Sequence, residues 1–268
     1  MTRPLLPCAL LVLALLPIVA AQSARAPLPD LQPGDEWDYR KTGGAGAGTT
    51  TRDVLRLERD VVVEAIVIEE EATHPTHGRI TSRTEQVVRR QATDHAVISF
   101  GSHAAARIAG TNETVAEHTA RVTYEPPLRQ FRFAFRVGDA WTASSTEHVD
   151  RQGEARQSRE LFYRVQVVRT ERVQTLAGFF DTLVVESRDE SPGAAEDALE
   201  RSWWAPEACA HVRREVLRGG ELVAAYELVK GSCERATPFE AKDDTPGVGA
   251  LAAAGVVVAV AFLRRRLA

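Results

Sequence analysis

Phe131, Phe133, Phe135 and Val137 alternate with Arg132, Ala134 and Arg136, the two-residue period of a strand with one face on a core and one in water. The period returns in Leu161, Tyr163, Val165 and Val167, and in Ala120, Val122 and Tyr124 within Thr119–Tyr124, which Pro126-Pro127 is expected to end. Val54 to Glu70 contains Val61-Val62-Val63 and Ile66-Val67-Ile68, β-branched runs that pack well on a pleated surface and so predict a strand. Ile80–Gln91, His95–Phe100, the apolar run Phe179–Val185, His211–Arg218 and Glu221–Lys230 add further strands. No stretch of ten residues has a helical apolar stripe, and Ala194–Arg201 supplies at most a short turn or two. The pattern predicts an all-β protein, an antiparallel curved sheet or partial barrel.

The punctuation fits that reading. Gly219-Gly220 suits the positive-φ positions of a tight hairpin turn, while Ala177-Gly178 and Ala205-Pro206 mark two further breaks. Gly43 to Gly48 reads as a flexible linker, and Glu69 to His77 as a solvated hairpin loop. Gly34-Asp35-x-Trp37 recurs as Gly138-Asp139-x-Trp141, each copy followed by a spacer and a strong strand, Val54–Leu57 and then Leu161–Val167. The recurrence predicts two related β-units, 34–134 and 138–233, with chance similarity of a four-residue motif as the alternative.

The two ends read as targeting segments. Arg3, the apolar run Leu10–Ala20 and small residues at Val19-Ala20-Ala21 predict a signal peptide over 1–21, followed by a Pro-spaced lead-in over 22–33. At the other end, a polar linker over 234–245 precedes Pro246-Gly247-Val248, an uncharged apolar run to Leu263, and Arg264-Arg265-Arg266. The stretch Gly247–Leu263 is at the short limit for a membrane-crossing helix, with the arginines on the cytoplasmic side. The segment 246–268 therefore reads as a membrane anchor or a sorting signal.

This tail resembles the PGF-CTERM signal of archaeal surface proteins, with Val248 where that motif has Phe. The resemblance implies an archaeosortase-type processing enzyme as partner and a lipid in place of the removed tail. An anchor that is never cut, or a GPI signal, are the alternatives. Gly138–Trp141, Ala177-Gly178-Phe179-Phe180-Asp181 and Trp203-Trp204-Ala205-Pro206 also resemble the recurring pattern of an exported β-domain found in envelope proteins of unknown function. That likeness implies structural roles for Gly178, Trp203, Trp204 and Pro206, and no assigned reaction.

Without its ends the body carries 29 basic and 37 acidic residues, about −8, with lysine only at 41, 230 and 242. That balance argues against a nucleic-acid partner, which needs clustered positive charge. Cys209 and Cys233 flank the Gly219-Gly220 hairpin, and in an exported chain such a pair is most simply a disulfide. Asn112-Glu113-Thr114 is a glycosylation sequon. His74 and His77 are three apart beside carboxylates, a weak metal candidate with no helix to align the two rings. Neither Gly-x-Ser-x-Gly nor His-Glu-x-x-His occurs, and no cofactor signature is present. The sequence predicts a non-enzymatic cell-surface β-domain that binds an apolar ligand or an envelope partner. An extracytoplasmic hydrolase with a triad assembled in space, or an adhesion element, are the alternatives.

Overall fold

The computed structural model describes residues 25–42, 46–195 and 197–233. The expected signal peptide, the linker and the Pro246-Gly247-Val248 tail lie outside them. Among the described residues no helix is long and apolar enough to cross a membrane.

Two short strands, β1 (Arg25–Ala26) and β8 (Phe135–Arg136), pair only with each other. The other twelve are β2 (Glu36–Thr42), β3 (Gly48–Glu58), β4 (Val61–His74), β5 (Gly78–Gln91), β6 (Val97–Ile108), β7 (Thr114–Leu128), β9 (Ala140–Arg151), β10 (Gln157–Thr175), β11 (Gly178–Asp189), β12 (Leu199–Ala205), β13 (Ala210–Arg218) and β14 (Glu221–Ser232). Each pairs antiparallel with its chain neighbour. β7 meets β9 across the β8 excursion, and β14 returns to β2, so the sheet is a closed barrel. The expected partial barrel is thus closed: no edge is left with unpaired backbone groups.

Several boundaries differ from the sequence reading, each for a local reason. Val54–Glu70 is a hairpin rather than one strand, because Arg59, at φ 51°, turns the chain at Arg59-Asp60. The supposed linker ends in β3, where Gly48 is wedged between strands: a Cβ there would lie 2.6 Å from the Glu69 carbonyl oxygen. Glu69 to His74 continues β4, leaving only a tight turn at 75–77. β7 runs through Pro126-Pro127, with a cis bond between Glu125 and Pro126. The Pro126 carbonyl accepts the Ser145 hydroxyl at 2.6 Å.

The largest correction concerns Phe131–Val137, which is not a barrel strand. β7 and β9 pair directly, so this segment has no neighbour in the sheet and enters the barrel instead. Twelve strands enclose more space than the wall side chains alone can fill, and the segment fills part of it. Phe131 lies 5.5 Å from Trp204 and 5.4 Å from His211, while Phe133 meets Trp204 and His95 at 5.1 and 5.5 Å. Phe135 packs on Trp141 and, through β8, on fully buried Ala26 of the lead-in. The lead-in is therefore core, with Leu31 also buried.

The two Gly-Asp-x-Trp turns are built alike. Gly34 and Gly138 both have positive φ, 98° and 90°. The Gly34 amide donates to the Val54 carbonyl and the Val54 amide to the Asp35 carbonyl; Gly138, Val167 and Asp139 repeat this, all four bonds at 2.9 Å. Each Asp carboxylate accepts the amide three residues back, from Gln32 at 2.8 Å and from Arg136 at 3.0 Å. A bulge follows each valine, at Val54/Arg56 and at Val167/Arg169. Each turn opens six barrel strands.

Trp203 and Trp204 are both buried but belong to different clusters, as adjacent strand residues must. Trp203 packs with Val173, Phe180 and Val184 of the long β10–β11 hairpin, and Arg213 lies 4.9 Å over its ring. Pro206 starts a 3-10 turn, Pro206–Ala208, leading to Cys209, which is bonded to Cys233. The disulfide ties the open end of the β13–β14 hairpin across a sequence separation of 24. By the loop-entropy argument it contributes about 3.5 kcal/mol. Replacing both cysteines with serine is expected to lower the unfolding free energy by that order, read from urea transitions. An unchanged midpoint would show that the hairpin needs no staple.

Candidate functional site

The wall residues that point inward are unusually polar for a core. On β5 the inward positions are Ser82, Thr84, Gln86, Val88 and Arg90, as their pairing with Glu70, Ile68, Ile66, Glu64 and Val62 requires. A wide barrel permits this, since it holds space as well as side chains. The space is a cavity of about 560 Å³, partly open to solvent and lined by β5, β6, β7, β10, β11, β12 and β13 with Gly193, Ala194, Ala195 and Ala198. Its apolar wall includes Val88, Phe100, Leu128, Val165, Val185 and Val216, and Phe131 closes one side. Its polar wall includes Gln86, Arg90, Arg159, Glu200 and Arg214. Tyr124 and Tyr163 also line it, and burial first, then Glu147 beside Tyr124 and Asp189 beside Tyr163, raise their hydroxyl pKa values and keep them protonated.

Beneath the polar wall lies an ion cluster. Glu64, fully buried on β4, pairs with Arg52 of β3 through one oxygen and with Arg90 of β5 through the other, at 2.9 Å. Burial alone would raise the Glu64 pKa, but the two guanidiniums hold it down at about 2. Arg52 also stacks 4.5 Å over the ring of Trp37. Arg214 pairs with Glu200, and Arg159 with buried Glu147 at 2.6 Å. Two histidines feel this charge. Burial and then Arg90 and Arg52 push His95 down to about 4; burial and then Arg214, Arg52 and Arg90 push His211 well below the ordinary histidine value. Both are therefore neutral at pH 7, poor proton donors and suited to packing among Phe131, Phe133 and Trp204.

A second perturbed carboxyl lies elsewhere, on β14. Burial pushes Glu227 up to about 8 against the pull of Arg213 and Arg40. The folded pKa is above the ordinary value of 4.5, so the folded chain holds the proton more tightly than the unfolded one. The stabilisation is complete below about pH 4.5 and is lost as pH rises through 8. The melting temperature of the native protein is expected to fall more between pH 6 and 9 than that of Glu227→Gln; parallel profiles would refute this.

The sequence-derived candidates fall mainly outside the cavity. Asn112 is exposed in the β6–β7 turn. His74 and His77 lie with ring centroids 4.9 Å apart at the β4–β5 turn, where His74 Nδ1 accepts the amides of Thr76 and His77. The neighbouring carboxylates are engaged, Glu69 with Arg83, Glu70 with Lys41 and Glu71 with Arg79. Among the described residues no group of three potential metal ligands occurs. Trp37 ties β2 to the Pro206–Ala208 turn, its Nε1 donating to the Ala208 carbonyl at 2.8 Å, and Gly178 opens β11 at φ 135°. Arg52, Glu64, Gln86, Arg90, Glu200 and Arg214 were not singled out by the sequence reading. The one available signal was Glu64, a charge set inside the run Val61–Ile68.

No family model matches the sequence, and no curated protein matches it. Among solved structures, the chain is similar to a β-barrel-like protein of a domain of unknown function (DUF1849) from Brucella abortus, with TM-score 0.47 and 8% identity over 74% of this chain and 96% of that one. It is also similar to a predicted exported protein with a YmcC-like fold from Bacteroides fragilis, with TM-score 0.44 and 14% identity over 78% of this chain and 100% of that one. A predicted lipoprotein from Parabacteroides distasonis shows TM-score 0.38 and 13% identity, over 78% and 100% of the two chains.

Proposed function

We propose that this protein is a non-enzymatic, exported envelope protein that carries a small amphipathic ligand inside its barrel. The cavity is the observation that carries the reading: about 560 Å³, apolar along one side and polar along the other, within the size range of small-molecule sites. Its ionisable groups support binding rather than turnover, because the carboxylates Glu64, Glu147 and Glu200 are committed to arginines and His95 and His211 are held neutral. The export reading rests on the two terminal segments of the sequence and on the disulfide. Surface anchoring through the 246–268 segment, as a helix or through a lipid that replaces it, and glycan at Asn112 belong to the same proposal. So does descent of the two six-strand halves from one duplicated unit, which the matching turns and bulges support.

Native mass spectrometry of the protein purified without denaturant tests the reading. A bound species of a few hundred daltons, removed by solvent extraction, is expected. Polypeptide mass alone, together with no uptake of the neutral probe N-phenyl-1-naphthylamine, would overturn it.

A further inference from the structure

The cavity has a sign. Among the charged groups that line it and their ion-pair partners, Arg52, Arg90, Arg159, Arg214 and Arg218 face Glu64, Glu147, Asp189 and Glu200. The neutral pairs are Arg159–Glu147 and Arg214–Glu200, and Asp189 and Arg218 add one charge of each sign at the loop side. The surplus is in the Arg52–Glu64–Arg90 cluster, where two guanidiniums share one carboxylate. A positive charge withdrawn from water is costly unless an anion answers it. Arg90 is the member that reaches the cavity, and its bond to Glu64 uses Nε, leaving the two terminal nitrogens as donors. Further along the same face of β5, the buried Gln86 lines the cavity with an Nε2 that has no hydrogen-bond partner. Arg90 thus presents donors that Glu64 does not engage, beside a Gln86 donor without a partner, and an acceptor in the cavity would answer both.

Resting on the reading of the cavity as a ligand site, we infer that the ligand is an anionic amphiphile. Its carboxylate or phosphate head is bound by Arg90, and its hydrocarbon tail lies along Val88, Phe100, Leu128, Val165, Val185 and Val216. Charge-assisted bonds from a guanidinium to such a head are about twice as strong as neutral ones, and Arg presents its donors in a fork that fits either anion.

The test compares hexadecanoate, hexadecyl phosphate and hexadecanol, at sub-micellar concentration, as displacers of N-phenyl-1-naphthylamine from the intact, delipidated chain. Both anions are expected to displace the probe at a concentration at least about tenfold below that of the alcohol. The tighter of the two identifies the head as carboxylate or phosphate. Arg90→Gln is expected to bring the anions to the level of the alcohol and leave the alcohol unchanged. Should that variant fail to fold, the anion-to-alcohol ratio of the unaltered protein decides alone. Equal displacement by all three would overturn the anionic head while leaving the cavity reading in place. A probe that never binds would overturn both.

Discussion

Glu64→Ala is expected to lower the unfolding free energy by about 3–5 kcal/mol, because it removes the one carboxylate between two guanidiniums that have left water. Glu64 is fully buried, and the side chains of Arg52 and Arg90 are each only 11% exposed. Arg52 is also fixed over the Trp37 ring, so relaxation there disturbs the aromatic floor as well. The acid limb of the stability curve carries a second signature. With its folded pKa near 2, below the ordinary 4.5, Glu64 contributes fully above about pH 4.5, and its contribution is lost as pH falls toward 2. Urea titrations at pH 7 and pH 3.5 should therefore show a smaller gap between native protein and variant at the lower pH. A loss under 1 kcal/mol at pH 7 would mean that water already reaches the cluster.

Trp37→Ala is expected to cost a similar amount, about 3–5 kcal/mol, through the cavity left by a fully buried indole. The same change orphans the Ala208 carbonyl, which accepts the indole N–H, and removes the surface on which Gly231 packs: a Cβ on Gly231 would lie 3.0 Å from the Trp37 ring. Trp141 holds the matching position in the other Gly-Asp-x-Trp turn but is only half-buried. Trp141→Ala should therefore cost clearly less, and the reverse order would show that the motif, rather than its burial, sets the effect. Paired urea transitions of the two variants measure both quantities.

The all-β class, the tight Gly219-Gly220 turn, the Cys209–Cys233 bond and the burial of both tryptophans at 203 and 204 were legible in the sequence, since each is written in local pattern or turn chemistry. Closure was not. It depends on β14 finding β2, a pairing between residues almost 200 apart that no local period encodes. Phe131–Phe135 shows the limit of periodicity from the other side. Alternation reports that one face is buried, and a chain crossing the inside of a barrel satisfies it as well as a strand in the wall. The cavity was hidden for a related reason. Inward positions such as Gln86 and Arg90 are polar because they face space and ions, so β5 has no apolar stripe to mark its inner face. Glu64 alone broke a strong pattern, and it is the residue on which the ion cluster depends.

The seam between β2 and β14 also governs when this protein can form. β14 is the last described element, so a chain delivered from its N-terminus exposes the edge of β2 opposite β3 until residues 221–232 arrive. Until then the growing sheet has two open edges able to pair with another chain. The final strand, followed at once by Cys233, both ends that exposure and brings the second sulfur to Cys209. Ring closure and covalent locking thus fall within the last dozen residues of the barrel. A chain interrupted shortly before them would have eleven of its twelve barrel strands and no closed container.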